Sequence, residues 1–531
     1  MATDSVARAI ALAGLANGGG GGLSTIVAGT GTSSIVMNHD DANTNEASGN
    51  YSTALGYGTK AAGQGGFAAG YSETPGNVMA GEGAVCCIGR ATGTGGWEAV
   101  GENSIAIGSK SDSSNNVYGA DINSIAIGFN VSASGNSQNP AYAIGSNIDS
   151  REAACCFGTN LSSQLGGIIL GDDCHSISDL GSSVLIGTRC NDAHQSWYSV
   201  AIGGNNGATN SYAVALGNDC TASGKSSIAL GRRCKAQGIG STALGYSTSS
   251  DEIISSGTNS VAIGTGAKAS STNSIAFGYN VNSGVENQTA LGKYNIAQTS
   301  ADETKYGLIF GNGTADARAN AFTLDWTGNA TFAGTVTSAS GADYAEYFEW
   351  KDGNKDSEDR VGYIVTLDGD KIVKAKAGDD ILGIISGCAT VIGDNAEWNW
   401  QGRFERDEFG RIIYDQVEQF IDTPDPDWEP NPEKPDEEVP MIKKSLGYFP
   451  VPRENADYDP TKEYANRSNR PEWDTVGMMG KLYVRDDGTA AINDYVTVSA
   501  TTDGVATKAE GRTSMRVMER VNDHIIRVCF K

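Results

Sequence analysis

Two carboxyl side chains three residues apart, Asp343 and Glu346 in the run Gly341-Ala-Asp-Tyr-Ala-Glu-Tyr-Phe-Glu349, form the candidate in this chain with the most mechanistic content. Two nearby carboxyls can divide the proton transfers of a hydrolysis. One activates water while the other, held protonated, supplies a proton to the leaving group. The spacing sets a condition: residues three apart share one face of a helical turn but fall on opposite faces of a strand. Cooperation therefore requires a turn or a helix start at Asp343. The same Asp-Tyr-Ala-Glu also reads as a capping box, with Asp343 as the N-cap and Glu346 at the third helical position. These four residues alone leave both readings open.

Other reactive residues are scattered. The four histidines, His39, His175, His194 and His524, do not sit beside a serine or cysteine in a recognised nucleophile motif. Asp172, Asp173, Asp251 and Glu252 are the acids a glycan-cleaving surface would need in pairs, but acidic turns of this kind are usually only solvated. Trp97, Trp197 and Tyr198, with Tyr142 and Tyr212 nearby, are candidate receptor anchors, since exposed aromatics hold sugars and proteins. Packing between subunits would use them equally well. No Cys-x-x-Cys occurs and His175 beside Cys174 has no second ligand pair, so neither a metal nor a cofactor is expected.

The elements that carry these residues are repetitive. About seventeen imperfect copies of Asn-Ser-Ile-Ala-Ile-Gly run from Gly56 through Gly89, Gly108 and Gly128 to Gly311, most often 14 residues apart. A period this short means stacked coils. Alternation places the two long residues of Val-Ala-Ile on one face and Ala on the other, and the polar stretches between copies supply turns. Each copy makes one coil of two short strands, and seventeen coils about 4.8 Å apart make a stack of roughly 80 Å. Such coils have a thin core, so stability is expected from association, most simply as a homotrimer. Cys86, Cys87, Cys155 and Cys156 replace Ile-Ala of the phrase, and Cys174, Cys190, Cys220 and Cys234 each fall three residues after a repeat glycine, where Val131 and Val281 stand elsewhere. Cysteine here reads as a small buried hydrophobe and reduced.

The copies Asn103–Gly108, Asn123–Gly128, Asn259–Gly264 and Asn273–Gly278 resemble the head repeats of trimeric autotransporter adhesins. That resemblance implies a trimeric left-handed parallel β-roll. The signal peptide and membrane barrel of those adhesins find no match here, which favours a phage fibre, where the same roll is reused. Residues 341–531 resemble the self-cleaving intramolecular-chaperone domain at the C-terminus of phage neck and tail appendages. After the Asp343 motif the matches follow in order: Arg360–Val365, Gly369–Ile372, Gly383–Gly387, Pro471–Asp474, Val476–Gly480, Val484–Gly488, Asn493–Val496 and Asp503–Lys508. The resemblance implies that Asp343 and Glu346 are the catalytic pair and that the chain is cut between Ala342 and Asp343.

Composition bounds the rest. A formal charge of −25 excludes a nucleic-acid footprint, and no apolar run approaches the roughly 20 residues of a membrane span. Residues 4–17 read as a short helix and 18–22 as a glycine hinge, which together suit docking onto other virion tail proteins. The expected organisation is mainly β: residues 1–23 for docking, 24–311 the β-roll shaft, 312–342 an intertwined β connector, and 343–531 the folding and cleavage domain. An acidic, proline-rich insertion, about 398–470, interrupts the last domain. Ten of the twelve prolines lie between Pro424 and Pro471, which argues for an extended, polyproline-like loop or a wrapping arm. The expected function is a homotrimeric phage tail fibre or appendage subunit, made in the host cytoplasm and carried in the virion. Its partners would be itself and a host-surface glycan or protein receptor. A bacterial surface adhesin and a spacer fibre without receptor binding are the alternatives.

Overall fold

Within each coil the repeated phrase assigns one job to each residue. In the copy ending at Gly108, Asn103 takes a positive φ of 57°, a conformation that asparagine tolerates better than most residues. Ser104 is buried, and its hydroxyl donates to the Gly101 carbonyl at 2.7 Å. Ala106 points inward with no exposed surface, while Ile107 points outward and keeps 40 % of its surface. Gly108 has a φ of 157°, and a Cβ there would lie 1.7 Å from the carbonyl oxygen of Gly128 in the next coil. Only glycine lets neighbouring coils approach this closely.

The structure is a computed structural model that describes residues 25–38, 45–71, 78–91, 97–99, 101–110, 118–177, 183–192, 197–248, 250–299, 305–338, 341–395, 402–425, 440–463 and 465–531. The expected helix at 4–17 lies outside the described residues. The chain divides into two compact units, residues 1–333 with 420–446, and residues 334–419 with 447–531. Among the described residues there is no α-helix, and hence no helix long and apolar enough to cross a membrane.

The first unit is a solenoid of parallel ladders in which like residues stack on like. Gly128, Gly145 and Gly158 pair in register, as do Gly203, Gly217 and Gly231. The interior Ala position is fully buried in coil after coil, from Ala54 to Ala290. This column is thus mostly methyl-sized, with Ile169, Leu185 and Ile309 as its long exceptions, while flanking aliphatics such as Ile107 face outward. One copy departs from the reading above. Ile88, not Gly89, pairs with Gly108, and Cys86 falls in the Ala position opposite Ala106. The Val85-Cys-Cys-Ile-Gly89 copy is therefore out of step by one residue at its end, and Gly89 is not part of the glycine column.

A second buried column stands three residues after most repeat glycines; after Gly245 that residue, Thr248, is exposed and Ile253 pairs with Cys234 instead. It holds Val131, Ile148, Leu161, Cys174, Cys190, Asn206, Cys220, Cys234, Val281 and Asn295. The described cysteines are free thiols. They do more than fill space: Cys174, Cys190, Cys220 and Cys234 each donate to the carbonyl of the next coil's glycine, at 3.2 to 3.4 Å. Asn206 does the same at 2.8 Å and accepts from the Cys220 N–H at 2.9 Å. The shaft ends in an antiparallel meander of Tyr306–Asn312, Asn320–Asp325 and Ala330–Phe332.

The second unit is a non-repetitive ten-stranded sheet organised around the long strand Trp473–Arg485. The first part of that strand pairs antiparallel with Asp343–Glu349, and the second part with Ile525–Phe530. Gly480 pairs with both Asp343 and Phe530, so the strand changes partner there. One core gathers Ile364, Ile384, Leu482, Val484, Val496, Met515, Ile526 and Val528. A smaller one gathers Trp350, Val365, Ile372, Ile385 and Val476. The insertion differs from the extended loop expected of it. Tyr414–Pro424 and Met441–Pro452 pair as a two-stranded sheet. Both strands of such a ribbon are edges, where proline is admissible. Most of the proline run between them lies outside the described residues.

Candidate functional site

Asp343 opens a strand, Asp343–Glu349, so neither a helix start nor a capping box exists there. The alternation rule then takes effect. Asp343 and Ala345 face inward, and Tyr344 and Glu346 face the other way. Glu346 packs over Gly393, where an added Cβ would lie 2.9 Å from its Cγ. It accepts a hydrogen bond from the Tyr344 hydroxyl, which pushes the tyrosine pKa up. Within one chain, therefore, the two carboxyls implied as a pair do not meet.

The Ala342–Asp343 bond itself is closely held. The Ala342 carbonyl accepts from the Lys481 N–H at 3.3 Å, and the Asp343 carbonyl from the Thr390 N–H at 2.9 Å. A Cβ on Gly480 would stand 2.4 Å from the Ala342 oxygen, and one on Gly341 would stand 2.5 Å from the Cys388 oxygen. Glycines on both sides thus let backbone pack directly against this peptide. The Asp343 residue is 4 % exposed, and among the described residues neither of its carboxyl oxygens closes a hydrogen bond. Burial pushes its pKa up, and the facing Ser386 hydroxyl and the Ala342 backbone offset this only in part. An acid held in this state is suited to donate a proton.

Sequence reasoning did not assign roles to Lys481, Ser386 or Thr390. Ser386 lies inside a segment matched for its family resemblance, which was the available signal; its approach to Asp343 depends on strand pairing across more than forty residues. Asp474 is a half-buried carboxyl, its pKa raised by burial and partly restrained by a 2.7 Å bond from the Trp350 indole N–H. It pairs with Phe348, at the far end of the strand from Asp343.

The proposed receptor aromatics separate. Trp197 is only 4 % exposed. It is a packed residue of its coil, which removes it as a surface anchor. Tyr198 and Tyr212 are exposed, with ring centroids 5.9 Å apart. The Trp97 side chain lies outside the described residues. Glu252 pairs with Lys235 at 2.8 Å, as expected of a solvated turn.

Residues 249–524, just over half of the chain, match the family described as Peptidase_G2, IMC autoproteolytic cleavage domain. Residues 47–72, 99–130, 198–219 and 222–248 match the YadA head domain repeat. Among curated proteins, the pre-neck appendage protein of Bacillus phage B103 is 37 % identical over 185 residues, 34 % of this chain and 18 % of that protein. The putative phage-related protein YobO of Bacillus subtilis (strain 168) is 39 % identical over 195 residues, 36 % of this chain and 20 % of its own length. The chain thus spans about a fifth of the length of these relatives. A crystal structure of the bacteriophage phi29 gene product 12 C-terminal fragment is 32 % identical; the match covers 36 % of this chain and all of that one, with a TM-score of 0.26.

Proposed function

The chain belongs to the Peptidase_G2 family, the IMC autoproteolytic cleavage domain, and we propose that it is a homotrimeric phage appendage subunit that aids host attachment and cuts itself once between Ala342 and Asp343. The buried Asp343 carboxyl beside a clamped Ala342 carbonyl is the observation that carries the cleavage reading. The protonated carboxyl supplies the proton that the leaving Asp343 nitrogen needs, and the Lys481 N–H stabilises charge developing on the Ala342 oxygen. Water is the nucleophile. The carboxylate that activates it is Glu346. Because Glu346 faces away from Asp343 in its own chain, we assign that role to Glu346 of a neighbouring copy.

Association of copies is supported by the outward aliphatics of the shaft. Ile107, Ile144, Ile228 and Phe277 all keep more than a third of their surface, and such rows mark contact surfaces. Trimerisation also explains the presence of the second unit. Coils that resemble one another can slip by one repeat at little cost, and a non-repetitive sheet fixes the register. Cutting it away afterwards traps the fibre kinetically. The N-terminal region would dock to other virion tail proteins, and exposed residues such as Tyr198 would meet a host-surface glycan or protein.

Co-expression of Asp343→Asn and Glu346→Gln chains tests the assignment. Each variant alone should stay intact. Mixed trimers should release a fragment from the Glu346→Gln copies, which retain Asp343. Intact mixed trimers would contradict a base supplied by the neighbouring copy.

A further inference from the structure

The solenoid places a serine, a histidine and an aspartate in one hydrogen-bonded line that the sequence order conceals. Ser162 lies on the strand Cys155–Ser163, and the next coil brings His175 into register beside it. The Ser162 hydroxyl lies 2.9 Å from His175 Nδ1. On the other side of the ring, Nε2 lies 3.3 Å from Asp173 Oδ1. Asp173 occupies the left-handed position, φ 56°, that Asn130, Asn147 and Asn160 hold in the three preceding coils. The column thus exchanges an amide for a carboxylate in the coil that carries the histidine.

Ser162 and His175 line a groove of about 660 Å³ with Asn130, Asn147, Arg151 and Asn160. The amides of Asn130, Asn147 and Asn160 link from coil to coil at 3.3 and 3.1 Å. Arg151 is held by Asp149 at 3.0 Å. This lining is more polar than apolar, with Ile148 and Leu161 its aliphatic members, and the groove is open rather than a deep slot for an acyl chain.

We propose that Ser162, His175 and Asp173 form a second reactive site, an esterase that removes a small acyl group such as acetyl from a hydroxyl-rich alcohol. The Ser162 oxygen attacks the ester carbonyl and its proton passes to His175 Nδ1. The tetrahedral adduct collapses, the C–O bond to the alcohol breaks, and His175 returns the proton to the departing oxygen. Water, deprotonated by the same nitrogen, then attacks the acyl-serine. Carboxylic acid is released and Ser162 is regenerated. One ester and one water give one alcohol and one acid. Asn160 and Arg151 are the donors in the groove for the oxyanion. The ring is used in the opposite sense to the chymotrypsin triad, where Nε2 faces the serine. Asp173 acts as a positioning residue that holds the ring and its proton.

Two probes test this on the full chain: p-nitrophenyl acetate, and a fluorophosphonate that labels activated serines. The fluorophosphonate should mark the peptide containing Ser162. Acetate release should fall to background in Ser162→Ala and about 100-fold in His175→Gln, the range of general-base loss. Asp173→Asn keeps an acceptor in place and should lower kcat by roughly 3- to 10-fold with KM unchanged, because both partners are about half-exposed and solvent weakens the pair. The palmitate ester should not be cut. An unlabelled Ser162, an unchanged rate in Ser162→Ala with the same melting curve as the parent, or equal cleavage of palmitate would each overturn the proposal. The reading of self-cleavage at Ala342–Asp343 is untouched by any of these results.

Discussion

The shaft and the C-terminal unit use opposite means to specify a β structure. In the shaft the same short phrase recurs, parallel ladders stack glycine on glycine, and the core is mostly alanine and cysteine with a few valines, leucines and isoleucines. In the C-terminal unit no segment repeats, pairing is mostly antiparallel, and the core is built of isoleucine, valine, leucine and tryptophan. The first design gives length and leaves register weakly determined. The second fixes one arrangement and can seal a carboxyl beside a peptide bond. The region with least information in its sequence is therefore attached to the region with most.

The comparison breaks most visibly at glycine. Gly145→Val puts a Cβ 1.8 Å from the Gly158 oxygen at a φ of 145°. It should cost more than about 4 kcal/mol, read as loss of soluble shaft or a collapsed melting transition. Gly353→Ala in the C-terminal unit, also at positive φ but in open space, should cost only about 1 kcal/mol. Equal effects would show that close coil approach does not define the shaft.

A polar residue in the second buried column gives the next largest effect. Asn206→Leu removes the amide that bonds the Ile202 and Gly217 carbonyls and the Cys220 N–H. It should lose roughly 2–3 kcal/mol, more than Cys220→Ala, which removes one weak donor. Chemical denaturation of the two variants separates a column that must donate from one that only fills space.

Smaller effects follow from pH and run in opposite directions at two aspartates. Burial raises the Asp343 pKa, so the folded state binds its proton more tightly than the unfolded chain. That contribution weakens as pH rises above about 4, the unfolded value. In the uncut Glu346→Gln background, Asp343→Asn should therefore raise stability at neutral pH and change little below pH 4. Asp352 is held down to about 2 by the Arg360 guanidinium. Its stabilisation is complete above about pH 4 and is lost as pH falls towards 2. Asp352→Asn should flatten that acid limb slightly, since solvent screens an exposed carboxylate. Melting curves between pH 2 and 7 check both signs.

The sequence made the shaft legible because its rule is local. Phrase spacing gave the coils, and the alternation in Val-Ala-Ile gave the two faces. Which face turned inward, the one-residue slip at Ile88 and the thiol-to-carbonyl bonds all depend on the neighbouring coil, which no single copy encodes. At the candidate site the motif located Asp343 and Glu346, but not their backbone. Pairing with Trp473–Arg485 makes that segment a strand, and a strand puts the two carboxyls on opposite faces. Ser162 and His175 escaped notice for the same reason: thirteen residues apart, they meet only because one coil is that long.

The most direct measurement is the intact mass and N-terminal sequence of the fragments that appear when the full chain is expressed and purified. The account predicts a C-terminal fragment beginning at Asp343, with the rate reduced at least about 100-fold in Glu346→Gln and trimers preserved. A chain that stays whole, a cut at another bond, or unchanged cutting in Glu346→Gln would contradict it.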